Sequence, residues 1–309
     1  MTRPDGGIPT QSAICAVITT YRPESAFPAK VARVRAQVAT TIIVDDGARS
    51  ENVRSLHEWF DSHDGVVMHH NPSNSGVAAS LNAGISIARS RGYRWVITLD
   101  DDTLIDEDMV SNLVQGWEAA ASKYDQPIAL LGMAHAEDTL RREAPDSRNQ
   151  SFRRKRGIIT SGSLMSIEAF EKIGLFREEF FIDGIDYDYS LRARALGFLV
   201  LQMPQVGMTH FIGNRTKHRI GPLTVYTSNH SALRRYYWAR NSVVLAREHW
   251  SQDPLFSVAV FLFHLRTTIL IVLLEPGKRT KLRSILQGYH DALRNRMGQQ
   301  LISPDGSGA

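Results

Sequence analysis

Trp95-Val96-Ile97-Thr98-Leu99-Asp100-Asp101-Asp102 carries the argument for the fold. Its first part, apolar and rich in β-branched residues, reads as a strand buried on both faces, and the aspartates end it abruptly. Two earlier stretches repeat the pattern. Ile14-Cys15-Ala16-Val17-Ile18-Thr19 runs into Thr20-Tyr21, and Thr41-Ile42-Ile43-Val44 runs into Asp45-Asp46-Gly47. Between the strands Val77, Leu81, Ile85 and Ala88 recur at the spacing of one helical face, as do Met109, Leu113, Trp117 and Ala121 further on. Strands alternating with helices predict an α/β fold, a mostly parallel sheet flanked by helices. The carboxyl ends of parallel strands share one edge, where ligands gather, so the three polar clusters should line one cleft.

Composition sets the outer bounds. The chain has 309 residues, 36 Lys+Arg against 32 Asp+Glu, a formal net charge of +4, 43% hydrophobic and 22% charged residues. That balance excludes a disordered chain, a collagen-like repeat and a disulfide framework. Cys15 stands alone, so neither an intrachain disulfide nor a cysteine-rich zinc site can form. With no secretory pattern at the N-terminus, the reading is a reducing cytoplasm. A basic excess suits nucleic acid, a phosphorylated substrate or an anionic membrane. The acids at 45–46, at 100–102 and from Asp183 through Asp188 would repel a polyanion, so nucleic acid is not the expected partner. No GxGxxG or GxxxxGK[ST] motif is present, which argues against a nicotinamide dehydrogenase and a P-loop kinase.

Consecutive carboxylates at a strand end repel one another, and a divalent cation relieves that repulsion. In an extended segment Asp100 and Asp102 point the same way, so both can offer oxygen to one Mg²⁺ or Mn²⁺ whose open positions take diphosphate oxygens. The bland reading is helix capping by Asp106-Glu107-Asp108, which leaves the preceding three acids unexplained. Asn74-Ser75-Gly76 opens the helix that carries Val77, and its amides would face an anion. Phe181-Ile182-Asp183-Gly184-Ile185-Asp186-Tyr187-Asp188 leads into another helix; capping accounts for one of its acids, and the other could serve as general base. His210 ends a strand that includes Val206-Gly207-Met208-Thr209, and a lone histidine there is more often structural than a ligand.

The remaining chain divides the molecule. His135 to Arg156 is polar without a sustained period and reads as a surface loop, with Arg141-Arg142 and Arg153-Arg154-Lys155-Arg156 as candidate grips on an anionic acceptor. Gly174 should end the helix that follows Ser163. Residues 1–230 read as the catalytic domain and 231–309 as a helical region, with a helix from Ser231 to Trp250. Phe256 to Leu274 is nearly all apolar but interrupted by His264 and Arg266, which argues against a spanning helix. An amphipathic helix on a membrane surface, backed by Lys278 to Arg283, stands beside packing on the core or in a homodimer.

Taken together, Thr19-Thr20-Tyr21-Arg22-Pro23, Val44-Asp45-Asp46-Gly47, Asn74-Ser75-Gly76, Leu99-Asp100-Asp101-Asp102, the Asp183 to Asp188 segment and His210 resemble the GT-A glycosyltransferases of family 2, from about Ile14 to about Trp250. Leu191-Arg192-Ala193-Arg194-Ala195-Leu196-Gly197 and Tyr237-Trp238-Ala239-Arg240-Asn241 are most similar to bacterial rhamnosyltransferases, then galactofuranosyltransferases. The resemblance implies a GT-A fold with a helical C-terminal extension. It implies that Thr19, Tyr21 and Asp46 hold the nucleobase and ribose, and that Asn74, Gly76, Asp100 and Asp101 lie along the sugar diphosphate. Asp100, Asp102 and His210 would hold Mg²⁺ or Mn²⁺. Asp186 would be the base of an inverting transfer, although Ile185 stands where some relatives carry a second acid. The implied donor is dTDP-rhamnose and the acceptor a cell-surface glycan or lipid-linked glycan, at the inner face of the cell membrane. A UDP-galactofuranosyl donor, a metal-dependent phosphoesterase and a non-catalytic nucleotide-sugar-binding module are the alternatives.

Overall fold

Runs with no exposed residue build the centre of the sheet. β1 (Ile14–Thr20) and β2 (Thr41–Asp45) are buried throughout, and β4 (Trp95–Asp100) is buried up to its terminal aspartate. Such uninterrupted burial is what a parallel strand covered on both faces requires. In this computed structural model, which describes residues 7–47, 60, 64–135, 152–210, 216–221 and 223–300, the sheet also includes β3 (Val66–His70), β5 (Thr103–Ile105), β6 (Ile128–His135), β7 (Arg153–Arg154), β8 (Ser163–Ser166) and β9 (Leu199–His210). The order is β3-β2-β1-β4-β8-β6-β9-β5, with β7 added to β9. β3, β2, β1 and β4 run parallel, as do β6 and β9; β8, β5 and β7 are antiparallel to their neighbours.

The helices take the faces that their periodicity foretold. α1 (Phe27–Arg35) starts at a proline, α2 (Val77–Ser90) buries Leu81, Ile85 and Ala88, and α3 (Met109–Lys123) buries Met109, Leu113 and Trp117. α2 lies so close to the sheet that a Cβ on Gly84 would collide with Val17. α4 (Ile167–Ile173) ends at Gly174, whose amide returns to the Phe170 carbonyl at 2.8 Å with φ of 89°. α5 (Ile185–Ala195) follows. Cys15 is buried in β1, and burial pushes its thiol up to about 12, which makes it inert as a nucleophile.

The chain divides into two compact units, residues 1–177 with 186–211, and residues 178–185 with 212–309. The division expected at 230 therefore falls inside the second unit, which takes in the hairpin of β10 (Thr216–Ile220) and β11 (Leu223–Thr227) and the segment before α5. Its helices are α6 (Ala232–Glu248), capped by Ser231, α7 (Pro254–Leu274) and α8 (Lys278–Leu293). Arg141-Arg142 lie outside the described residues. The polar segment expected as a loop from His135 to Arg156 has strand at both of its described parts, since β6 reaches His135 and Arg153-Arg154 form β7; residues 136–151 lie outside the described residues.

Candidate active site

Strand register brings the polar clusters to one edge. In the parallel pairs Thr20 lies beside Asp45, and Thr19 beside both Val44 and Asp100. The Asp46 amide then donates to the Thr20 carbonyl at 2.9 Å, continuing the β1–β2 ladder into the loop.

Two of the expected ligand-binding acids turn out to hold loops. Asp46 is buried. Its Oδ1 accepts from Asn71 Nδ2 at 2.9 Å and from the Ser75 amide at 2.8 Å, and its Oδ2 accepts from the Gly76 amide at 2.9 Å. The amides of Ser75 and Gly76, read from the sequence as open to an anion, are thus engaged by this carboxylate. The helix start they form needs a glycine, since Gly76 has φ of 92°. Beside it the Asn74 Oδ1 is buried with no hydrogen-bond partner among the described residues.

Asp101 is the second case. Residues 101–102 form a turn between β4 and β5, so the alternation of an extended strand does not apply there. Asp101 Oδ2 accepts from Thr20 Oγ1 at 2.7 Å and from the Tyr21 amide at 3.3 Å, and Lys30 Nζ donates to the Asp101 carbonyl at 2.9 Å. Burial pushes the Asp101 carboxyl above its ordinary value, with the Asp102 charge adding to the effect and the bonds from Thr20 and Tyr21 opposing it. Tyr21 itself is exposed.

Asp100 and Asp102, half-buried, flank this tie. The Asp100 amide donates to Ser161 Oγ at 3.0 Å, and that hydroxyl meets Thr103 Oγ1 at 2.7 Å. A further bond from the Gly162 amide to the Thr98 carbonyl, 2.8 Å, laces the loop before β8 to the acidic turn. Across the antiparallel pair His210 is the partner of Thr103, the residue after Asp102. Facing backbones in such a pair are about 5 Å apart. The His210 side chain lies outside the described residues, and the described ones contain no group of three His, Cys, Asp or Glu able to hold a metal. Two carboxylates at a turn with a histidine backbone opposite are a donor set that suits a hard cation such as Mg²⁺ or Mn²⁺, which takes few protein carboxylates.

The three acids near α5 separate cleanly. Asp188 is fully buried; its Oδ2 accepts from Arg192 Nε at 2.8 Å, and Arg177 lies 3.4 Å from its Oδ1. Arg192 also donates to the carbonyls of Ile173 and Leu175, so this pair fixes the chain leading out of α4. Asp183, in the second unit, is gripped by Arg234 at 3.1 to 3.2 Å. Asp186 is half-buried in the first turn of α5, and its Oδ1 accepts from the Tyr187 amide at 2.9 Å. Burial, helped by the Asp186 charge, raises the Tyr187 phenol. The expected division between a cap and a base gives way to an ion pair for Asp188.

Sequence reasoning missed Thr20 and Ser161 as individual contributors, and Asn71 and Lys30 altogether. Ser161 had a signal in the Thr160-Ser161-Gly162-Ser163 run, whereas Lys30 sits on an unmarked helix. Arg154, Lys155, Arg156 and Arg194 line a cavity of about 520 Å³ near the start of β9, where the Lys155 amide donates to the Val200 carbonyl. At roughly 3.3 Å per residue that end of the strand is about 30 Å from His210, so these cations do not reach the acidic turn.

Known proteins resemble this chain in sequence and in fold. Residues 15–176 match glycosyl transferase family 2. Over 296 residues the chain is 27% identical to the dTDP-rhamnosyl transferase RfbF of Shigella flexneri, covering 93% of this chain and 97% of the relative. Among solved structures, S. aureus TarS 1–349 in complex with UDP aligns with a TM-score of 0.59 at 12% identity, covering 92% of this chain and 81% of that one. The mannosyltransferase PcManGT from Pyrobaculum calidifontis, in complex with GDP-Man and Mn²⁺, aligns with a TM-score of 0.58 at 14% identity, covering 95% and 89%.

Proposed function

This chain belongs to glycosyl transferase family 2 and is a glycosyltransferase, and on that premise we propose that it moves L-rhamnose from dTDP-rhamnose to a bacterial cell-surface glycan or lipid-linked acceptor, with inversion at the anomeric carbon. The observation that carries the reading is the strand-end edge, where Thr19 neighbours Asp100 and His210 lies opposite Thr103. Near full-length similarity to a dTDP-rhamnosyl transferase supports the donor over a UDP-galactofuranosyl one. Family membership sets aside the phosphoesterase and the non-catalytic binding module.

Thr19 and the exposed Tyr21 receive the nucleoside. Asp46 acts through the Ser75-Gly76 turn that it holds, and Asp101 through the end of β1, so both are positioning residues. Asn74, with its buried Oδ1 in need of a donor, takes a sugar hydroxyl. Asp100, Asp102 and His210 would hold Mg²⁺ or Mn²⁺. When bound, the ion supplies positive charge for the nucleoside diphosphate that leaves.

Asp186 accepts the proton of the acceptor hydroxyl as that oxygen bonds to the anomeric carbon and the carbon–diphosphate oxygen bond breaks. Asp188, sealed and paired with two arginines, has no route to an acceptor. The test is release of nucleoside diphosphate from dTDP-rhamnose and from UDP-galactofuranose, each with and without an acceptor glycan. Acceptor-dependent release of dTDP is expected; turnover of the UDP donor alone would overturn the donor assignment.

A further inference from the structure

In the second unit α7 is inside out for a helix in water. Its buried residues are Phe256, Ser257, His264, Thr267 and Ile271, the last four spaced seven, three and four apart along one stripe, and three of the five are polar. Ser257 Oγ donates to the Ala246 carbonyl at 2.7 Å, and His264 Nδ1 meets the Tyr289 hydroxyl at 2.8 Å while its ring stacks on Trp238. The outward side carries Leu255 at 70% exposure, Phe261 at 68%, Leu262, Leu265, Ile269 and Leu273. A soluble surface helix does the reverse, burying its apolar residues and presenting polar ones. The helix is 21 residues long, with a mean hydropathy of 2.1 over its most apolar window and no acidic residue.

The exposed charges of α7 and α8 share one sign. Arg266 is exposed on α7 itself. On α8, Arg279, Arg283, Leu286 and Leu293 recur at the spacing of a single face, and all are exposed. Lys278 and Lys281, from the same basic run, are used inside the unit: Lys278 donates to the Val272 carbonyl at the end of α7, and Lys281 binds the buried Glu275. An apolar face flanked by arginines complements a bilayer that contains anionic lipid.

We infer that α7 embeds its outward face in the surface layer of an anionic membrane, lying along the bilayer with Arg279 and Arg283 at the headgroups. Packing along the Ser257 to Ile271 stripe keeps one side of the helix on protein, and Arg266 interrupts the apolar side, so the helix lies in the surface and does not cross it. This surface stands independently of the transfer reaction, because binding is measured with neither donor nor acceptor present.

The test is flotation of the full chain with phosphatidylcholine vesicles, with and without phosphatidylglycerol. The wild type should float with the anionic vesicles. L262E/L265E, whose positions are exposed and therefore tolerant, should lose at least ten-fold in bound fraction. R279A/R283A should weaken binding roughly five-fold per arginine on anionic vesicles and flatten its salt dependence. Failure of the wild type to float, or unchanged flotation of L262E/L265E, overturns the proposal. So does sedimentation showing that L262E/L265E converts a lipid-free dimer to monomer, since a second copy would then be the occupant.

Discussion

In the sheet-bearing unit β1 is buried from end to end and its neighbours' acids gather where the strands stop; in the helical unit α7 turns leucine and phenylalanine outward while Glu275, Arg240 and Asp291 lie inside. Both arrangements depart from what packing alone would select, in opposite directions. At the strand ends, carboxylates accumulate where the proposed function puts a cation and a diphosphate. On α7 the proposed partner is apolar. The contrast is between carboxylates gathered along one edge of a sheet and apolar side chains turned outward on a helix, and in our proposals each marks where its unit meets something else.

The sharpest way to break the first half of this contrast is Asp186→Asn. It should lower the turnover rate by about 10²- to 10⁴-fold while donor affinity stays within a few-fold. Single-turnover kinetics beside donor titration separates the two, and undiminished turnover would remove Asp186 as base. Asp102→Ala tests the acidic turn itself. Donor binding should lose its dependence on Mn²⁺, as read by the thermal shift that dTDP-rhamnose produces with and without the metal, because a ligand stabilises only as tightly as it binds.

For the helical unit the corresponding probe is Glu275→Ala. Glu275 sits 2.8 Å from both Arg235 and Lys281 and is nearly inaccessible. Removing it leaves two buried cations without their counter-ion, at a cost of about 3–5 kcal/mol, measurable by urea denaturation. Asp46→Ala should cost about 2–3 kcal/mol by releasing Asn71 and the amides of Ser75 and Gly76. Its donor KM should rise more than its kcat falls if Asp46 positions the turn and does not touch the reacting atoms.

Much of the first unit could be read from the chain because buried parallel strands are continuous apolar runs and their ends are abrupt. α2 and α3 were equally plain, since Leu81, Ile85 and Ala88 or Leu113 and Trp117 repeat at one angle. β10 and β11 were not legible: Lys217, His218 and Arg219 give no period-two apolar signal, and two strands pairing only with each other need none. The roles of Asp46 and Asp101 could not be read either. An aspartate at a strand end looks the same whether it meets a ligand or an amide that folding brings from another segment. Arg240 and Asn241 make the same point. Their motif was visible, but their task, with Asn241 Nδ2 donating to the carbonyls of Phe180, Ile182 and Asp183 and Arg240 to those of Glu179 and Gly298, exists only once the chain has closed on itself.

The smallest expected effect concerns pH and sharpens the contrast between the units, because the groups that lose stability on acidification belong to the helical one, whereas the raised Asp101 carboxyl of the other acts in the opposite direction. Burial holds His264 down to about 4 and, with the Arg234 charge nearby, His230 down to about 4 as well, against an ordinary value of 6.5. A histidine whose folded pKa lies below its unfolded one takes up a proton on unfolding, so stability is full above pH 6.5 and falls as pH drops from there toward about 4. Burial alone would raise the Glu275 carboxyl, but the Lys281 hydrogen bond and the Arg235 charge outweigh it and hold it below 4.5. Its contribution is present above pH 4.5 and is lost below that, extending the same slope. Thermal denaturation between pH 8 and 4 should therefore be level, then decline, and His264→Gln should make the upper part of the decline shallower. A decline that His264→Gln leaves unchanged would mean that this ring is open to water, and would remove His264 from the buried stripe of α7.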